Sequence, residues 1–235
     1  MDLIGVVFPR RCPICDGVLK FNKEKICDNC KNKITIIKEP RCMKCSKPLD
    51  NEVSEYCYDC QNKKHNFISG IALMEHNGLV AKSLYKIKYN NKREYIDYYV
   101  EEFCKYHSKE VKSWNAQVLI AIPLHFLRKR KRGYNQAELI AKKLGKELGI
   151  PYCNSLLKRS KNTKPQKELN DKDRKKNLKN AFFVPKDKIK NLPGSVILVD
   201  DIYTTGATID ECSKVLLKAG CKEIYFITLT IGNGY

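Results

Sequence analysis

The chain has 235 residues, which is enough for one medium-sized α/β domain and a smaller module. Its formal net charge is +19, from 45 Lys and Arg against 26 Asp and Glu, so the protein is expected to attract polyanions. No stretch approaches the roughly 18 consecutive apolar residues of a membrane helix, and the first residues do not have the pattern of a secretory signal. We therefore expect a cytoplasmic protein, in which clustered thiols bind metal rather than form disulfides.

Eight of the twelve cysteines form four Cys-x2-Cys pairs near the N-terminus. The pairs are Cys12 and Cys15, Cys27 and Cys30, Cys42 and Cys45, and Cys57 and Cys60. Every gap between pairs is eleven residues, so a four-cysteine unit recurs after thirty residues, which indicates an internal duplication. Two pairs supply the closed Cys₄ set of a structural zinc site. We therefore predict a double zinc ribbon over residues 1–66 with two structural Zn²⁺ ions. The repeat favours sequential grouping of the first four and the last four cysteines, and a cross-braced arrangement, in which the first and third pairs share a metal, remains open.

Residues 67–235 form the second predicted domain and carry 32 basic against 17 acidic side chains. Residues 67–75 predict a strand, and a His-Asn-Gly turn signal follows it. Apolar residues at helical spacing predict amphipathic helices over residues 79–89 and 95–106. The many tyrosines of these helices are interpreted as packing residues rather than as platforms for nucleic-acid bases.

A second group of elements follows with a cationic connection. Residues 118–122 are apolar and predict a buried parallel strand. Residues 128–132 are consecutive Arg and Lys, and we expect them in a loop before a helix that extends to Leu148 and stops at Gly149. Farther along, residues 158–179 contain 10 basic and 3 acidic side chains with little apolar periodicity, so we expect this segment to be mobile until an anion binds.

The stretch over residues 196–209 has the strongest functional pattern. Its first four residues predict a strand buried on both faces, and a helix is predicted over residues 207–219. Between them lie threonine hydroxyls, Gly206 and the N-terminal donors of the helix, which together suit a phosphate. Asp200 and Asp201, at the carboxyl end of the strand, can accept hydrogen bonds from sugar hydroxyls. Phosphate and diol together indicate a ribose 5-phosphate ligand. A last strand is predicted over residues 223–231.

This stretch resembles the signature of the type I phosphoribosyltransferases, which bind phosphoribosyl pyrophosphate (PRPP). The resemblance implies a Rossmann-like α/β domain in which Asp200 and Asp201 are the catalytic acidic pair. It implies that the 5′-phosphate is bound by Tyr203, Thr204, Thr205, Gly206, Ala207 and Thr208. The pyrophosphate would contact Arg132 and Gly133, and Mg²⁺ would bind together with PRPP.

Further motifs narrow the resemblance. Pro123-Leu124-His125, the run from Arg132 to Glu138, the loop containing Thr163-Lys164-Pro165-Gln166, and the cysteine pairs together resemble the ComF family of competence-associated proteins. The resemblance implies handling of single-stranded DNA in natural transformation, beside a helicase and a recombination mediator. The candidate DNA-binding residues are Arg128, Lys129, Arg130, Lys131, Lys158, Arg159, Lys161, Lys164 and Arg174. The alternatives are an active phosphoribosyltransferase with an unidentified acceptor and, more weakly, an interaction scaffold whose site is inactive.

Overall fold

In the computed structural model, which describes residues 9–19, 24–161 and 177–232, strands and helices alternate through most of the chain. The strands are β1 Ser69–Glu75, β2 Val118–Ala121, β3 Tyr152–Cys153, β4 Lys158–Arg159, β5 Phe182–Phe183, β6 Ser195–Tyr203 and β7 Glu223–Ile231. The α-helices are α1 Asp28–Lys31, α2 Tyr58–Asn62, α3 Gly78–Tyr89, α4 Tyr95–Ser113, α5 Phe126–Arg132, α6 Gln136–Leu148 and α7 Ala207–Lys218, and a 3-10 helix spans Lys186–Asn191.

The centre of the molecule is a parallel sheet with the strand order β1-β7-β6-β2-β3. Parallel neighbours need crossover connections, and helices α3 to α7 lie in those connections. Strands β6 and β7 are buried along most of their length because both faces of the sheet are covered, which explains their continuous apolar runs. The predicted α/β class with a Rossmann-like parallel sheet is confirmed.

Alternate residues of the strands enter two hydrophobic cores, one on each face of the sheet. In β6, Ile197 and Val199 pack in the core formed with α3, α4 and α6. Val196 and Leu198 pack in the opposite core with α7 and with Phe182 of β5, which pairs antiparallel with β4. The period of two along a strand therefore divides the apolar residues of one segment between two cores.

The two cysteine units have the same backbone conformation, as the duplication predicts. The Cys12 N–H donates to the Gly17 carbonyl and the Cys42 N–H donates to the Lys47 carbonyl, both at 2.8 Å. The residue after the second cysteine of each unit has a positive φ, 70° at Asp16 and 68° at Ser46. Each unit then continues into a short helix, α1 in the first and α2 in the second.

The cysteine units pack on opposite faces of the sheet. Cys12 and Ile14 of the first unit lie in the core with α3 and α4, whereas Cys42 and Cys45 of the second lie in the core with α7. The connecting segment covers the outer edge of β1, where the Ile37 N–H donates to the Leu73 carbonyl at 2.9 Å. The division at residue 66 stays a prediction, since both units share their cores with the rest of the chain.

The basic run was predicted as a loop, and this prediction is wrong: residues 126–132 form helix α5. Lys and Arg are good helix formers. The His125 side chain accepts a hydrogen bond from the Leu127 N–H, and Gly133 ends the helix in the left-handed conformation with φ 84°. Lys129 also forms an ion pair with Glu138 of α6 at 3.0 Å. The helix therefore depends on caps and on a neighbouring helix that periodicity alone does not show.

Two other elements extend beyond their predicted ends. Helix α4 runs to Ser113 rather than residue 106. Strand β6 continues through the aspartate pair to Tyr203, because β7 supplies backbone partners opposite these residues, with Asp200 beside Thr228 and Ile202 beside Thr230. The sequence prediction ended the strand before this extension, because the residues there have polar side chains. Among the helices of residues 9–19, 24–161 and 177–232, none has the length and apolar character needed to cross a bilayer.

Candidate functional site

Each cysteine unit gathers its four thiols into one cluster. The Sγ atoms of one cluster lie within 4.8 Å of one another, and the clusters are Cys12, Cys15, Cys27 and Cys30, and Cys42, Cys45, Cys57 and Cys60. The Sγ atoms of Cys45 and Cys57 are 3.6 Å apart, close to the edge of about 3.8 Å expected for a tetrahedron with Zn–S bonds of about 2.3 Å. The thiols therefore fit two structural Zn²⁺ ions, and they are grouped sequentially rather than cross-braced.

The loop between β6 and α7 has the form of an anion cradle. Gly206 precedes α7 with φ 78° and has no side chain with which to cap the helix, so N–H groups of the first turn are available to a ligand. Gly206 is also packed tightly, because a Cβ there would lie 2.5 Å from the Tyr203 hydroxyl oxygen. Thr204 is exposed, and Thr205 and Thr208 are half-buried. Residues 203–208 therefore span the end of β6, the connecting loop and the start of α7, and phosphate binding by them stays a prediction.

Tyr203 has a different place from the one predicted for it. Its side chain is 5% exposed, and its ring stacks on Phe226 with centroids 4.9 Å apart and planes 8° from parallel. Phe67 meets the same ring edge-on at 6.3 Å. The Tyr203 ring therefore supports the loop from beneath, and the prediction that this residue binds phosphate extends at most to its backbone.

The two aspartates have different environments. Asp201 is buried, forms an ion pair with Lys88 of α3, and accepts a hydrogen bond from the Gln136 amide at 3.1 Å. Burial acts to raise the pKa of Asp201, but Lys88 and Gln136 outweigh it and the pKa is lowered. Burial raises the pKa of Asp200 well above its ordinary value, and the charge of Asp201 adds to the rise. Asp201 is therefore a paired carboxylate, whereas ionisation of Asp200 is disfavoured in the free protein.

A cleft of about 240 Å³ joins these features. Its lining includes the side chains of Asp200, Asp201, Thr204, Thr208, Gln136, Lys88, Arg128, Arg132, Arg159, Tyr85 and Tyr89. These residues come from α3, α5, α6, β4, β6, the β6–α7 connection and α7. The cleft brings together two carboxyls, the phosphate cradle and three guanidinium groups, which is a combination suited to an anionic sugar phosphate.

The predicted pyrophosphate residues separate in the structure. Arg132 lines the cleft, and its guanidinium also lies over the Tyr89 ring, 5.1 Å from the centroid. Gly133 is not among the residues that line the cleft, and its N–H already donates to the Lys129 carbonyl at 2.8 Å. The residue predicted to approach pyrophosphate through its backbone is therefore the cap of α5.

The predicted DNA-binding residues also fall into separate groups. Arg128 and Arg159 line the cleft. Lys129, Arg130 and Lys131 are exposed on α5, outside the cleft lining. Lys158 lies in β4 and Lys161 follows that strand, and their ammonium groups donate to the Asn154 and Lys179 carbonyls, respectively, each at 3.0 Å. Lys164 and Arg174, with the rest of the predicted mobile segment over residues 162–176, lie outside the described residues.

Sequence reasoning missed the contribution of helix α3 to the cleft. Ala81, Tyr85 and Lys88 have the i, i+4, i+7 spacing of one helical face, and all three line the cleft. This periodicity was visible in the sequence. It did not identify the face as functional, because only the fold places Lys88 against Asp201.

The second cysteine unit packs directly behind the phosphate cradle. Cys45, Cys57, Phe67 and Tyr203 share one core, and Lys44 lies over the Phe67 ring at 5.6 Å from its centroid. His65 stacks on Phe67 at 4.8 Å and bonds through Nδ1 to Asp210 of α7 at 2.7 Å. The second cysteine unit and the segment after it therefore pack against both Tyr203, at the start of the loop, and the first turn of α7.

Comparisons with known proteins agree with this organisation. Residues 3–61 match the family model described as "Double zinc ribbon domain". Competence protein F of Haemophilus influenzae is 32% identical over 221 residues, covering 92% of this chain and 95% of the relative. Competence protein ComFC of Streptococcus pneumoniae is 28% identical, with 90% of each chain covered. DNA utilization protein YhgH of Salmonella typhimurium is 24% identical over 92% of this chain and 94% of its own. With identity above 30% maintained over nearly its full length, the chain belongs to the ComF family of competence proteins.

Proposed function

We propose that this protein binds PRPP in the cleft and single-stranded DNA on the adjoining basic surface, as part of cytoplasmic DNA uptake. The observation that carries the proposal is the meeting, in one cleft, of the phosphate cradle, the aspartate pair and three arginines. Relatives named for competence and for DNA utilization support the DNA role. A competence helicase and a recombination mediator are the protein partners that this role would require.

Each part of PRPP has a matching group in the cleft. The 5′-phosphate would accept hydrogen bonds from the first turn of α7 and from Thr204 and Thr208. Asp200 would accept from the ribose hydroxyls. Arg132, together with the neighbouring arginines, would neutralise pyrophosphate through charge-assisted hydrogen bonds. Mg²⁺, bound mainly by the pyrophosphate and ribose oxygens, would supply further charge neutralisation.

Lys88 has a specific electrostatic part in this proposal. The free cleft holds two adjacent carboxyls, and Lys88 neutralises the more buried one. Without Lys88, a polyphosphate ligand would meet the uncompensated negative charge of Asp201 near its own. The ion pair therefore lets the site keep both carboxyls for the diol while it still accepts an anion.

The surface next to the cleft suits a nucleic-acid backbone. Lys129, Arg130 and Lys131 are exposed on α5, and two further cations of the same helix turn into the cleft. Neutralising phosphates along a strand releases counterions and gives affinity that does not depend on sequence. A strand bound along α5 would therefore pass the mouth of the PRPP cleft.

The test is anisotropy of a labelled single-stranded oligonucleotide with zinc-loaded protein, titrated over salt, with and without Mg²⁺-PRPP. Replacing Lys129, Arg130 and Lys131 with Gln should weaken binding and lower the salt slope by about 0.7 for each lost phosphate contact. Calorimetry should find PRPP binding retained in this variant.

The matched control replaces Lys105, Lys109 and Lys112, three exposed lysines of α4 outside the cleft lining, with Gln. It removes the same charge and should leave the salt slope near that of the unaltered protein. Equal effects of the two triple variants would reject α5 as the DNA surface. Absence of any oligonucleotide binding at low salt would reject the DNA role.

The second candidate function is phosphoribosyl transfer to an acceptor. The observation that favours it is the intact acidic pair, with both carboxyls in the cleft beside the cradle. Pyrophosphate release from Mg²⁺-PRPP in the presence of DNA, nucleobases or amides separates turnover from binding alone. Release that depends on the acceptor and is lost in Asp200→Asn would establish an enzyme.

A further inference from the structure

Tyr85 and Tyr89 form an exposed aromatic pair on α3. Their ring centroids are 4.7 Å apart, as their i, i+4 spacing allows, and their exposed fractions are 53% and 60%. The tyrosines at the start of α4 behave differently, since Tyr95, Tyr98 and Tyr99 are buried. The interpretation of the tyrosines as packing residues therefore holds for these three and is wrong for the pair on α3.

The pair lines the same cleft as Thr204 and Thr208 of the predicted phosphate cradle. Tyr85 and Tyr89 line it together with the apolar side chains of Leu84 and Leu124. Polar residues line the same cleft: Thr204 and Thr208 carry hydroxyls, and Asp200 carries a carboxyl. A ligand that satisfies both parts has a flat apolar group joined to a sugar and a phosphate. A nucleotide has this composition.

The surroundings of the pair favour a nucleotide that belongs to a strand. The Arg132 guanidinium lies over the Tyr89 ring, and the three residues that precede Arg132 in α5 are further exposed cations. A base stacked on the pair would therefore have cations beside it for the phosphates that follow. Aromatic rings next to a cationic track are the usual means of binding single strands, because every base offers a π-face.

We infer that Tyr85 and Tyr89 are a stacking platform for a base of single-stranded DNA at the mouth of the PRPP cleft. The inference rests on the proposed function and adds to it a base-dependent contact that phosphate neutralisation alone does not provide. It also brings one nucleotide of the strand close to the aspartate pair, so DNA and PRPP affect each other's binding in this cleft.

The experiment compares two labelled oligomers of equal length, oligo-dT and an abasic deoxyribose-phosphate tract, by anisotropy at fixed low salt. The proteins are the unaltered chain, Tyr85→Ala/Tyr89→Ala, Tyr85→Phe/Tyr89→Phe, and Tyr106→Ala. Tyr106 is an exposed tyrosine of α4 outside the cleft lining, so it controls for loss of a surface ring. Thermal melts establish that all four proteins are folded.

The double alanine variant should bind oligo-dT about 5- to 150-fold more weakly, the loss expected when one stacked base is released. It should bind the abasic tract as the unaltered protein does. The double phenylalanine variant and Tyr106→Ala should retain affinity for both oligomers. In a second measurement, 2-aminopurine in the strand should be quenched by the unaltered protein and not by the double alanine variant.

Equal binding of oligo-dT by the unaltered and double alanine proteins would overturn the stacking platform while leaving phosphate-based DNA binding intact. Failure of the unaltered protein to bind either oligomer would overturn both the platform and the proposed DNA function. The two failures are therefore distinguishable.

Discussion

Replacing Gly206 with alanine should damage the phosphate cradle in two ways. The backbone has φ 78° there, a conformation that costs a residue with a Cβ about 1–2 kcal/mol. The new Cβ would also lie 2.5 Å from the Tyr203 hydroxyl oxygen, and Tyr203 is held by its stack on Phe226. Relieving such overpacking adds about 1–3 kcal/mol. We expect a total loss of about 2–5 kcal/mol of unfolding free energy.

Gly149→Ala is the matched control. Gly149 has φ 73° at the end of α6, and a Cβ there meets nothing within 4 Å. It should lose only the backbone term, about 1–2 kcal/mol. In a chain of this size 1 kcal/mol shifts Tm by about 2–4 °C. The expected decreases in Tm are therefore about 2–8 °C for Gly149→Ala and about 4–20 °C for Gly206→Ala.

The assay combines thermal melts with calorimetric titration of Mg²⁺-PRPP. Gly149→Ala should bind PRPP as the unaltered protein does. Gly206→Ala should lose binding by about 100-fold, because moving a binding loop by about 1 Å is enough for such a loss. Equal PRPP affinity in the two variants would refute the assignment of the cradle. Equal melting temperatures would refute the contact with Tyr203 as the second source of strain.

Three other perturbations test separate parts of the site. Asp200→Asn should raise Tm in thermal melts. The difference in Tm from the unaltered protein should increase as pH rises from about 4, because the raised pKa of Asp200 means that ionisation of this carboxyl destabilises the folded state. Lys88→Met should lower the free energy of unfolding, measured with denaturant, by about 3 kcal/mol. This is the lower end of the range for a broken buried ion pair, because the Lys88 side chain is 18% exposed. Adding Asp201→Asn should recover much of this loss. Metal analysis should find two zinc ions per chain, and Cys45→Ser should weaken PRPP binding by up to about 100-fold in calorimetry while Cys15→Ser, on the opposite face of the sheet, has a smaller effect.

Each of these has a contradicting outcome. A pH-independent Tm difference for Asp200→Asn would mean that ionisation of the Asp200 carboxyl does not destabilise the folded protein. Additive losses in the Lys88 and Asp201 variants would mean that the two side chains are not coupled. Equal effects of the two cysteine variants on PRPP binding would remove the special role of the second unit.

Local sequence patterns were sufficient to predict those elements whose structure depends only on residues of one short segment. The cysteine spacing predicted two Cys₄ units, because a Cys-x2-Cys turn directs both thiols to one metal. Strand β7 and helix α7 were predicted almost to their ends, since a continuous apolar run and a helical period each identify a buried face. The repeat favoured the sequential zinc pairing, and the fold was needed to decide against the cross-braced one, because the cysteine spacing is compatible with both.

Long-range contacts account for what the sequence left out. Helix α5 was mistaken for a loop, since its caps are single residues and its ion pair lies on the following helix. Strand β6 was ended too early, because its last backbone bonds are made to β7. Tyr203 was assigned to the phosphate site, and the stack of its ring on Phe226 places that side chain in the core.

The sequence by itself determined the chemistry available to this protein: eight thiols in two equal units, a loop of threonines and glycine next to two carboxyls, and a large basic excess. These are properties of short segments, in which covalent geometry and spacing fix the arrangement. Only the tertiary structure decided which groups act together. It paired Lys88 with Asp201, placed the second cysteine unit behind the cradle, and exposed Tyr85 and Tyr89 at the cleft. Such partners are chosen by the packing of elements that are distant in the chain, and no local period encodes that choice.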